Sequence, residues 1–272
     1  MFIARLATAI ALLAGCISTL LFLPNAWWTA LLLPVLFAAG WEWGALAGLQ
    51  GAARGAFAGI VLASAVVGWV FVSHSVPAFG PLTLPEILIY GASCLLWLFI
   101  VLPWLTWRWR VRSPLALAVV GWAVLVPTWL ALARLQAEPE RLLALLGIIW
   151  LSDTAAYLTG RAWGRHKLAP AISPGKTWEG LAGACVSVAV YYVVLSNVAP
   201  AWNWWHGIGG VVLFAGVTLM GVMGDLFESW IKRQAAVKDS GTLLPGHGGI
   251  LDRIDSMTAA LPSAALLLSY AS

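Results

Sequence analysis

The stretch GDLFESWIKRQAAVKDSGTLLPGHGGILDRIDS, residues 224–256, concentrates charge in a chain that has very little of it. Nine of the 26 charged side chains (15 Lys and Arg plus 11 Asp and Glu) fall within this one stretch. The sequence of 272 residues is 61% hydrophobic and only 10% charged, which is more apolar than a soluble core can accommodate. We therefore expect an all-α, polytopic integral membrane helix bundle that holds the charged stretch at one surface of the bilayer.

The first part of this stretch has the spacing of one helix face. Asp225, Glu228, Ser229 and Lys232 stand at positions i, i+3, i+4 and i+7, so all four project from the same side of a helix that continues the preceding apolar run. Carboxylates at the membrane-embedded end of a helix are costly unless they are paired or bind a ligand. We therefore interpret this face as part of a polar site.

The second part repeats the pattern beyond a glycine-rich loop. Asp252, Asp255 and Ser256 stand at i, i+3 and i+4 on the next helix. The loop Pro245-Gly-His-Gly-Gly249 places three glycines around His247, and glycine permits the positive φ and close backbone approach of anion-binding turns. Two acidic helix faces joined by such a loop predict a site for a divalent metal and phosphate. The alternative is a solvated loop between two membrane helices.

A further polar block precedes this stretch. Asp153 lies at the end of an apolar run, with Tyr157 and Arg161 on the same helix face. It is a candidate third acid of the site, or simply one member of an ion pair with Arg161. Lys176 follows in a loop shaped by proline and glycine, where it is flanked by hydroxyl-bearing residues that could donate to phosphate.

Apolar segments predict about nine transmembrane helices, most of them near the ~20 residues that cross a bilayer. They cover residues 6–23, 26–49, 56–72, 87–105, 115–132, 142–157, 181–198, 207–224 and 251–269. All four lysines of the chain lie after residue 141. We therefore divide one domain into N-terminal scaffold helices, residues 1–141, and a C-terminal region that carries the chemistry on two motif loops, residues 142–272.

The basic residues predict the orientation in the membrane. If the N-terminus and the loops after even-numbered spans lie in the cytoplasm, that side holds 13 of the 15 Lys and Arg residues, and the other side holds only Arg134 and Arg141. Both motif loops then face the cytoplasm, where nucleotide is available. We expect the protein in a bacterial inner membrane.

Two polar features lie outside the motif loops. Residues 106–113 alternate tryptophan with arginine, and so short a connection between spans favours an interfacial anchor near anionic lipid over nucleic-acid stacking. We expect no nucleic-acid partner. Glu42 lies between two tryptophans near the cytoplasmic end of the second span, and it either faces the polar site or reaches the interface.

The polar positions of these blocks resemble the signature of the phosphatidate cytidylyltransferases, also called CDP-diacylglycerol synthases. The matching runs are Ser229-Trp-Ile-Lys-Arg233, Lys238-Asp239, Pro245-Gly-His-Gly-Gly249, Asp252-Arg-Ile-Asp255 and a further block over residues 153–180. The resemblance covers roughly residues 150–256, whereas the N-terminal half is similar only in being apolar and multi-spanning. Gly175 departs from the pattern because the family more often has lysine there.

This resemblance implies transfer of the cytidylyl group of CTP to phosphatidic acid, giving CDP-diacylglycerol and pyrophosphate, with Mg²⁺ as the cofactor and membrane lipids as partners. It implies a catalytic set of Asp225, Lys232, His247 and Asp252. The implied metal ligands are Asp225, Asp252, Asp153 and Asp255. The implied substrate-binding residues are Ser173, Lys176, Thr177, Ser229, Arg233, Lys238, Asp239, Gly248, Gly249 and Arg253. Whether the protein forms a homodimer stays open.

Two other function classes remain possible from the sequence. Intramembrane acids also mark the pathways of cation or proton-coupled transporters. A lipid-alcohol kinase or a related nucleotide-dependent lipid transferase would need the same phosphate-binding groups. The released product separates the three, because the synthase releases pyrophosphate, the kinase releases CDP and the transporter releases neither.

Overall fold

Long α-helices dominate the computed structural model, which describes residues 14–73, 82–199, 207–243 and 248–269. Residues 14–22 form helix α1. The other elements are α2 (Asn25–Leu46), α3 (Gly51–Ser73), α4 (Leu84–Leu96), a π-helical segment (Trp97–Val101), α5 (Leu102–Trp107), α6 (Pro114–Leu135), α7 (Pro139–Trp163), β1 (Lys167–Ala169), β2 (Ser173–Thr177), α8 (Trp178–Val198), α9 (Gly207–Gln234) and α10 (Leu251–Leu268). The predicted all-α bundle is confirmed.

Seven helical segments within the described residues are long and apolar enough to cross a membrane. One of them, Leu84–Trp107, combines α4, the π-helical segment and α5. Helix α10 is long enough to cross a membrane, but its first turns carry three charged residues, Asp252, Arg253 and Asp255. Part of the predicted span 6–23 lies outside the described residues. The predicted count of about nine is therefore approximate.

An aromatic cluster joins the N-terminal helices to α9. Phe227 of α9 is almost fully buried and packs with its ring centroid 6.2 Å from Trp43, 5.6 Å from Trp97 and 5.4 Å from Trp104. Trp97 and Trp104 stand seven positions apart on the continuous helix formed by the π-helical segment and α5, so both rings approach Phe227 from one side. This helix includes Pro103, a residue without a backbone N–H. The cluster fixes α9 against α2 and α5 on the side opposite its acidic face.

Helices α9 and α10 pack extensively against each other. Their close approach depends on Gly224, where a Cβ atom would overlap the Asp255 carbonyl oxygen and lie 3.2 Å from Thr258 Oγ1. Because glycine allows the two backbones to meet here, the residues that follow it on α9 lie beside the first turn of α10. The two acidic faces predicted from helical spacing therefore adjoin each other.

A two-stranded antiparallel hairpin connects α7 to α8, and the sequence did not predict it. Lys167 pairs with Thr177, and Ala169 pairs with Ser173. The Thr177 hydroxyl then accepts a hydrogen bond of 3.1 Å from Gly180 N, which caps the N-terminus of α8. The hairpin thus holds the residues of the second motif block over the ends of α7, α8 and α9.

The connections of the bundle segregate to its two ends. At one end, Val111 N donates to Gln234 Oε1 at 2.8 Å, and Arg233 Nε donates to Ile172 O at 3.4 Å, so three loops meet at the C-terminus of α9. At the other end, the Arg134 guanidinium lies 3.0 Å from Glu86. This alternation of loops between two ends is what the predicted order of spans requires.

Candidate active site

A cavity of about 460 Å³ lies where α7, the hairpin, α8, α9 and α10 meet. Its wall joins polar groups near the hairpin to an apolar surface that includes Leu168, Leu181 and Val222. Seven residues predicted from the sequence line it: Asp153, Ser173, Lys176, Thr177, Asp225, Asp252 and Asp255. The structure therefore brings both motif blocks to one site.

Asp225 connects the two blocks directly. Its Oδ2 atom lies 2.6 Å from the Lys176 ammonium of β2, and its Oδ1 atom accepts a hydrogen bond of 3.3 Å from Ser229 Oγ one turn further along α9. The side chains of Lys176 and Asp225 keep 23% and 29% of their surface exposed, so a ligand in the cavity can reach both. A cation and an anion lie together at the point where a substrate phosphate could bind.

Lys232 is held between two carboxylates. Its ammonium lies 2.5 Å from Glu228 Oε2 and 2.6 Å from Asp252 Oδ1, and only 12% of the lysine side chain is exposed. Because Glu228 stands one turn before Lys232 on α9 and Asp252 begins α10, the lysine fastens the two helices together. Glu228 was placed on this face by helical spacing, but its contact with the lysine was not predicted.

Asp252 accepts further hydrogen bonds from the α9–α10 connection. Its Oδ2 atom accepts from Ser240 N at 3.0 Å, Ser240 Oγ at 3.0 Å and Gly249 N at 2.8 Å. Gly248 has a φ of +80°, and a Cβ atom there would lie 2.7 Å from Asp252 Oδ2. The predicted positive φ and close backbone approach are therefore confirmed at Gly248, and Asp252 is surrounded by donors.

Asp153 and Asp255 complete the acidic wall. Ser256 Oγ donates to Asp153 Oδ2 at 3.3 Å, and Ser256 N donates to Asp255 Oδ1 at 2.8 Å. Arg161 donates instead to the Tyr157 hydroxyl at 3.2 Å. Asp153 therefore contacts α10 rather than forming the ion pair with Arg161 that the sequence left open.

Several predicted substrate-binding residues lie beside the cavity rather than on its wall. Lys238, Asp239 and Arg253 are exposed at the end of the bundle near α10, and Arg233 contacts the backbone of the hairpin. Gly249 donates its N–H to Asp252. His247, the predicted donor to the leaving pyrophosphate, lies outside the described residues.

Glu42 faces the polar end of α10, which decides between the two interpretations of this residue. Its carboxylate is 4% exposed and accepts hydrogen bonds from Ser240 Oγ, Ile250 N and Leu251 N at 2.8 to 3.1 Å. Ser240 was not singled out from the sequence, because a serine between a charged pair and a glycine carries no specific pattern. Both residues belong to the surroundings of Asp252.

The acidic wall has the donor chemistry that Mg²⁺ requires. Asp153, Asp225 and Asp255 supply carboxylate oxygens from three helices to one cavity. Within the part of the chain that the structure describes, no three acidic, histidine or cysteine side chains already converge as a metal cluster. Mg²⁺ is usually held by one or two carboxylates together with substrate phosphates and water, so this wall fits the ion without a closed protein cage.

Comparisons with known proteins identify a family for the whole chain. The model of the cytidylyltransferase family matches residues 3–271. A phosphatidate cytidylyltransferase of Pseudomonas aeruginosa is 34% identical over 97% of this chain and 96% of its own length. Proteins of the same name from Haemophilus influenzae and Brucella suis are 38% and 49% identical, over 56% and 46% of this chain and 56% and 44% of their own lengths.

Proposed function

Because the chain belongs to the cytidylyltransferase family, we propose that it transfers the cytidylyl group of CTP to phosphatidic acid. The products are CDP-diacylglycerol and pyrophosphate. The observation that carries this proposal is the meeting of Lys176 and Asp225 in a cavity with both polar and apolar walls. The near full-length similarity to a protein named phosphatidate cytidylyltransferase supports the choice of substrates.

The reaction needs charge neutralisation more than it needs an activated nucleophile. A phosphate oxygen of phosphatidic acid attacks the α-phosphorus of CTP, and the bond from that phosphorus to the bridging oxygen of pyrophosphate breaks. The attacking oxygen is already ionised at neutral pH, so no serine or cysteine has to form a covalent intermediate. Lys176 lines the cavity, and Lys232 lies directly behind Asp252 of its wall. We assign both lysines to phosphate oxygens, and positioning of that kind is the main source of catalysis in phosphoryl transfer.

Mg²⁺ is the proposed cofactor, and Asp225 is its strongest candidate ligand. Asp153 and Asp255 line the same cavity and could complete the protein's share of the ligands. Asp252 belongs to the predicted set as well, although Lys232, Ser240 and Gly249 already donate to its oxygens. When bound, the ion would neutralise the phosphates of the nucleotide and orient them for in-line attack.

The apolar part of the cavity suits a lipid substrate. Leu168, Leu181 and Val222 lie beside the carboxylates, so diacyl chains can remain in the bilayer while the headgroup reaches the helix ends. We place this end of the bundle in the cytoplasm of a bacterial cell, at the inner membrane. Support for this orientation comes from the 13 of 15 Lys and Arg residues on that side and from the bacterial sources of the relatives.

Two differently labelled nucleotides test the reaction. Purified protein in detergent receives phosphatidic acid, Mg²⁺ and CTP labelled at either the α- or the γ-phosphate, and the lipids are separated by chromatography. We expect the α-label in the lipid product and the γ-label in pyrophosphate. In a parallel reaction with diacylglycerol in place of phosphatidic acid, transfer of the γ-label to lipid would identify a lipid-alcohol kinase. The absence of any labelled lipid or pyrophosphate with phosphatidic acid would contradict the proposal.

A further inference from the structure

We infer that Glu42, on scaffold helix α2, is a positioning residue that holds Asp252 and Lys232 in place through the α9–α10 connection. This connection comprises the described residues 235–243 and 248–250, together with four residues outside the described part of the chain. The role in catalysis rests on the proposed function, whereas the structural link does not. Glu42 itself lines no part of the substrate cavity and therefore acts through other residues.

The Glu42 carboxylate caps α10 from a different helix. Oε1 accepts from Ile250 N at 3.1 Å, and Oε2 accepts from Leu251 N at 2.8 Å. The residue at the N-cap position of α10 is Ile250, which has no side chain able to accept these bonds. A carboxylate at a helix N-terminus is favourable both as a hydrogen-bond acceptor and as a negative charge near the positive end of the helix dipole.

The same carboxylate reaches the other end of the connection through Ser240. Ser240 Oγ lies 3.0 Å from Glu42 Oε2 and 3.0 Å from Asp252 Oδ2. A hydroxyl has one proton, which it donates to one carboxylate at a time or shares between the two. The serine thereby separates two carboxylates that would otherwise face each other. Asp252 in turn contacts Lys232 at 2.6 Å. An unbroken series of contacts therefore runs from α2 to the lysine proposed to bind phosphate.

Close packing leaves Glu42 little freedom. Gly241 and Gly249 lie against the carboxylate so closely that a Cβ atom on either glycine would overlap it. The Glu42 side chain is 4% exposed, and Ser240 is 7% exposed. A buried carboxylate with three donors and tight glycine contacts defines one geometry, which is the requirement for holding a loop in register with the first turn of α10.

The mobility of the α9–α10 connection tests the structural link without any substrate. Thr242 is exposed in the connection, and Ala171 is exposed in the hairpin turn, so Thr242→Cys and Ala171→Cys can each carry a nitroxide spin label after Cys16, Cys94 and Cys185 are replaced. Glu42→Gln puts an amide NH₂ opposite a backbone or hydroxyl donor. We expect it to raise the mobility of the label at position 242 and leave that at position 171 unchanged.

Glu86→Gln is the matched control for general loss of stability. Glu86 is also a buried carboxylate on a scaffold helix, and it caps the N-terminus of α4 by accepting a hydrogen bond of 2.8 Å from Thr83 N. It lies at the opposite end of the bundle from Glu42. We expect no change at position 242 in this variant. Equal mobility changes for the Glu42 and Glu86 variants would mean that Glu42 only stabilises the fold.

Kinetics test the catalytic part of the inference. Displacement of positioned groups typically costs about 10- to 100-fold in activity, and we expect a loss in this range for Glu42→Gln in kcat/KM for CTP. Ser240→Ala is a smaller change, because both backbone hydrogen bonds to Glu42 remain, and it should give a partial loss of activity. If the Glu42→Gln protein does not fold, Ser240→Ala replaces it in both assays. A mobile label with wild-type kinetics would overturn the positioning role.

The two assays also separate this inference from the proposed function. If the unmodified protein does not use CTP and phosphatidic acid, the proposed function is wrong, but the spin-label result still decides whether Glu42 holds the connection. If the unmodified protein is active and neither the Glu42 nor the Ser240 variant changes the label at position 242, the inference is wrong and the function stands.

Discussion

Replacing Asp225 with asparagine should remove most of the turnover of the protein while leaving its fold intact. Asparagine keeps the size of the side chain and one carbonyl oxygen but removes the negative charge. In the structure this charge is matched by the Lys176 ammonium at 2.6 Å and by a hydrogen bond from Ser229. The variant therefore tests the charge at this position rather than its volume.

The expected stability change is small because the ion pair is partly exposed. Lys176 and Asp225 keep 23% and 29% of their side-chain surface accessible, and pairs of this kind contribute about 0.2–1 kcal/mol after screening. The catalytic loss should be far larger. Removing one preorganised electrostatic group from an active site typically costs about 10²–10³-fold in kcat, or about 2.7–4 kcal/mol. The experiment therefore compares the loss of kcat with the loss of thermal stability in the same variant.

Asp252→Asn provides the contrast. Lys232 and Asp252 are only 12% and 8% exposed, and breaking a buried ion pair by removing one partner costs about 3–5 kcal/mol. An amide NH₂ would also face the donors that Asp252 now accepts from. We therefore expect this variant to lose both thermal stability and activity, whereas Asp225→Asn should lose only activity.

The assay measures the rate of CDP-diacylglycerol formation against Mg²⁺ concentration in detergent, with gel filtration and thermal unfolding of each variant alongside. Glu138→Gln is the control, because Glu138 pairs with Arg141 at the opposite end of the bundle and should retain full activity. The reasoning is refuted if folded Asp225→Asn turns over at a near-normal rate with an unchanged Mg²⁺ dependence.

Three further predictions concern binding, topology and packing. Lys176→Gln and Lys232→Gln should each weaken the use of CTP, seen as a lower kcat/KM at limiting nucleotide, and wild-type kinetics in either variant would remove that lysine from the phosphate site. Thr242→Cys should react with an impermeant thiol reagent only when the cytoplasmic face is accessible, so labelling of intact cells would reverse the proposed orientation. Gly121→Val should lower the thermal unfolding temperature, because the valine Cβ would overlap the buried Trp43 indole. Overpacking of this kind costs about 1–3 kcal/mol or more. An unchanged unfolding temperature would show that the two helices can separate at this point.

Helical periodicity was sufficient to predict the acidic faces and their neighbours. The i, i+3 and i+4 spacing placed Asp225 and Ser229 on one face and Asp252 and Asp255 on another, and the structure places both acidic faces on one cavity. This worked because helix geometry fixes which side chains share a face regardless of tertiary contacts. The contact between Lys176 and Asp225 could be expected only from the resemblance, since no local rule relates a hairpin to a distant helix.

The features that the sequence did not reveal all depend on contacts between distant segments. Glu42 and Ile250 are 208 positions apart, and the environment of the carboxylate is set by the connection that folds over it. The hairpin was missed because residues 167–177 show no alternating apolar pattern over their short strands. The π-helical segment has no pattern of its own apart from the nearby proline.

The charges around the cavity explain why the lysines alone cannot hold two anionic substrates. Four carboxylates line its wall, Asp153, Asp225, Asp252 and Asp255, and Glu228 lies behind the wall in contact with Lys232. The cationic side chains are Arg161 and Lys176 on the wall and Lys232 behind Asp252. With all of these groups ionised the site carries a formal charge of −2, and both lysines already contact carboxylates. Like charges at a few ångströms repel strongly in a partly buried site, so CTP and phosphatidic acid need additional positive charge to bind there. The proposed divalent cation, bound together with the nucleotide, would supply this charge, so the acidic wall supports the proposal of a metal cofactor.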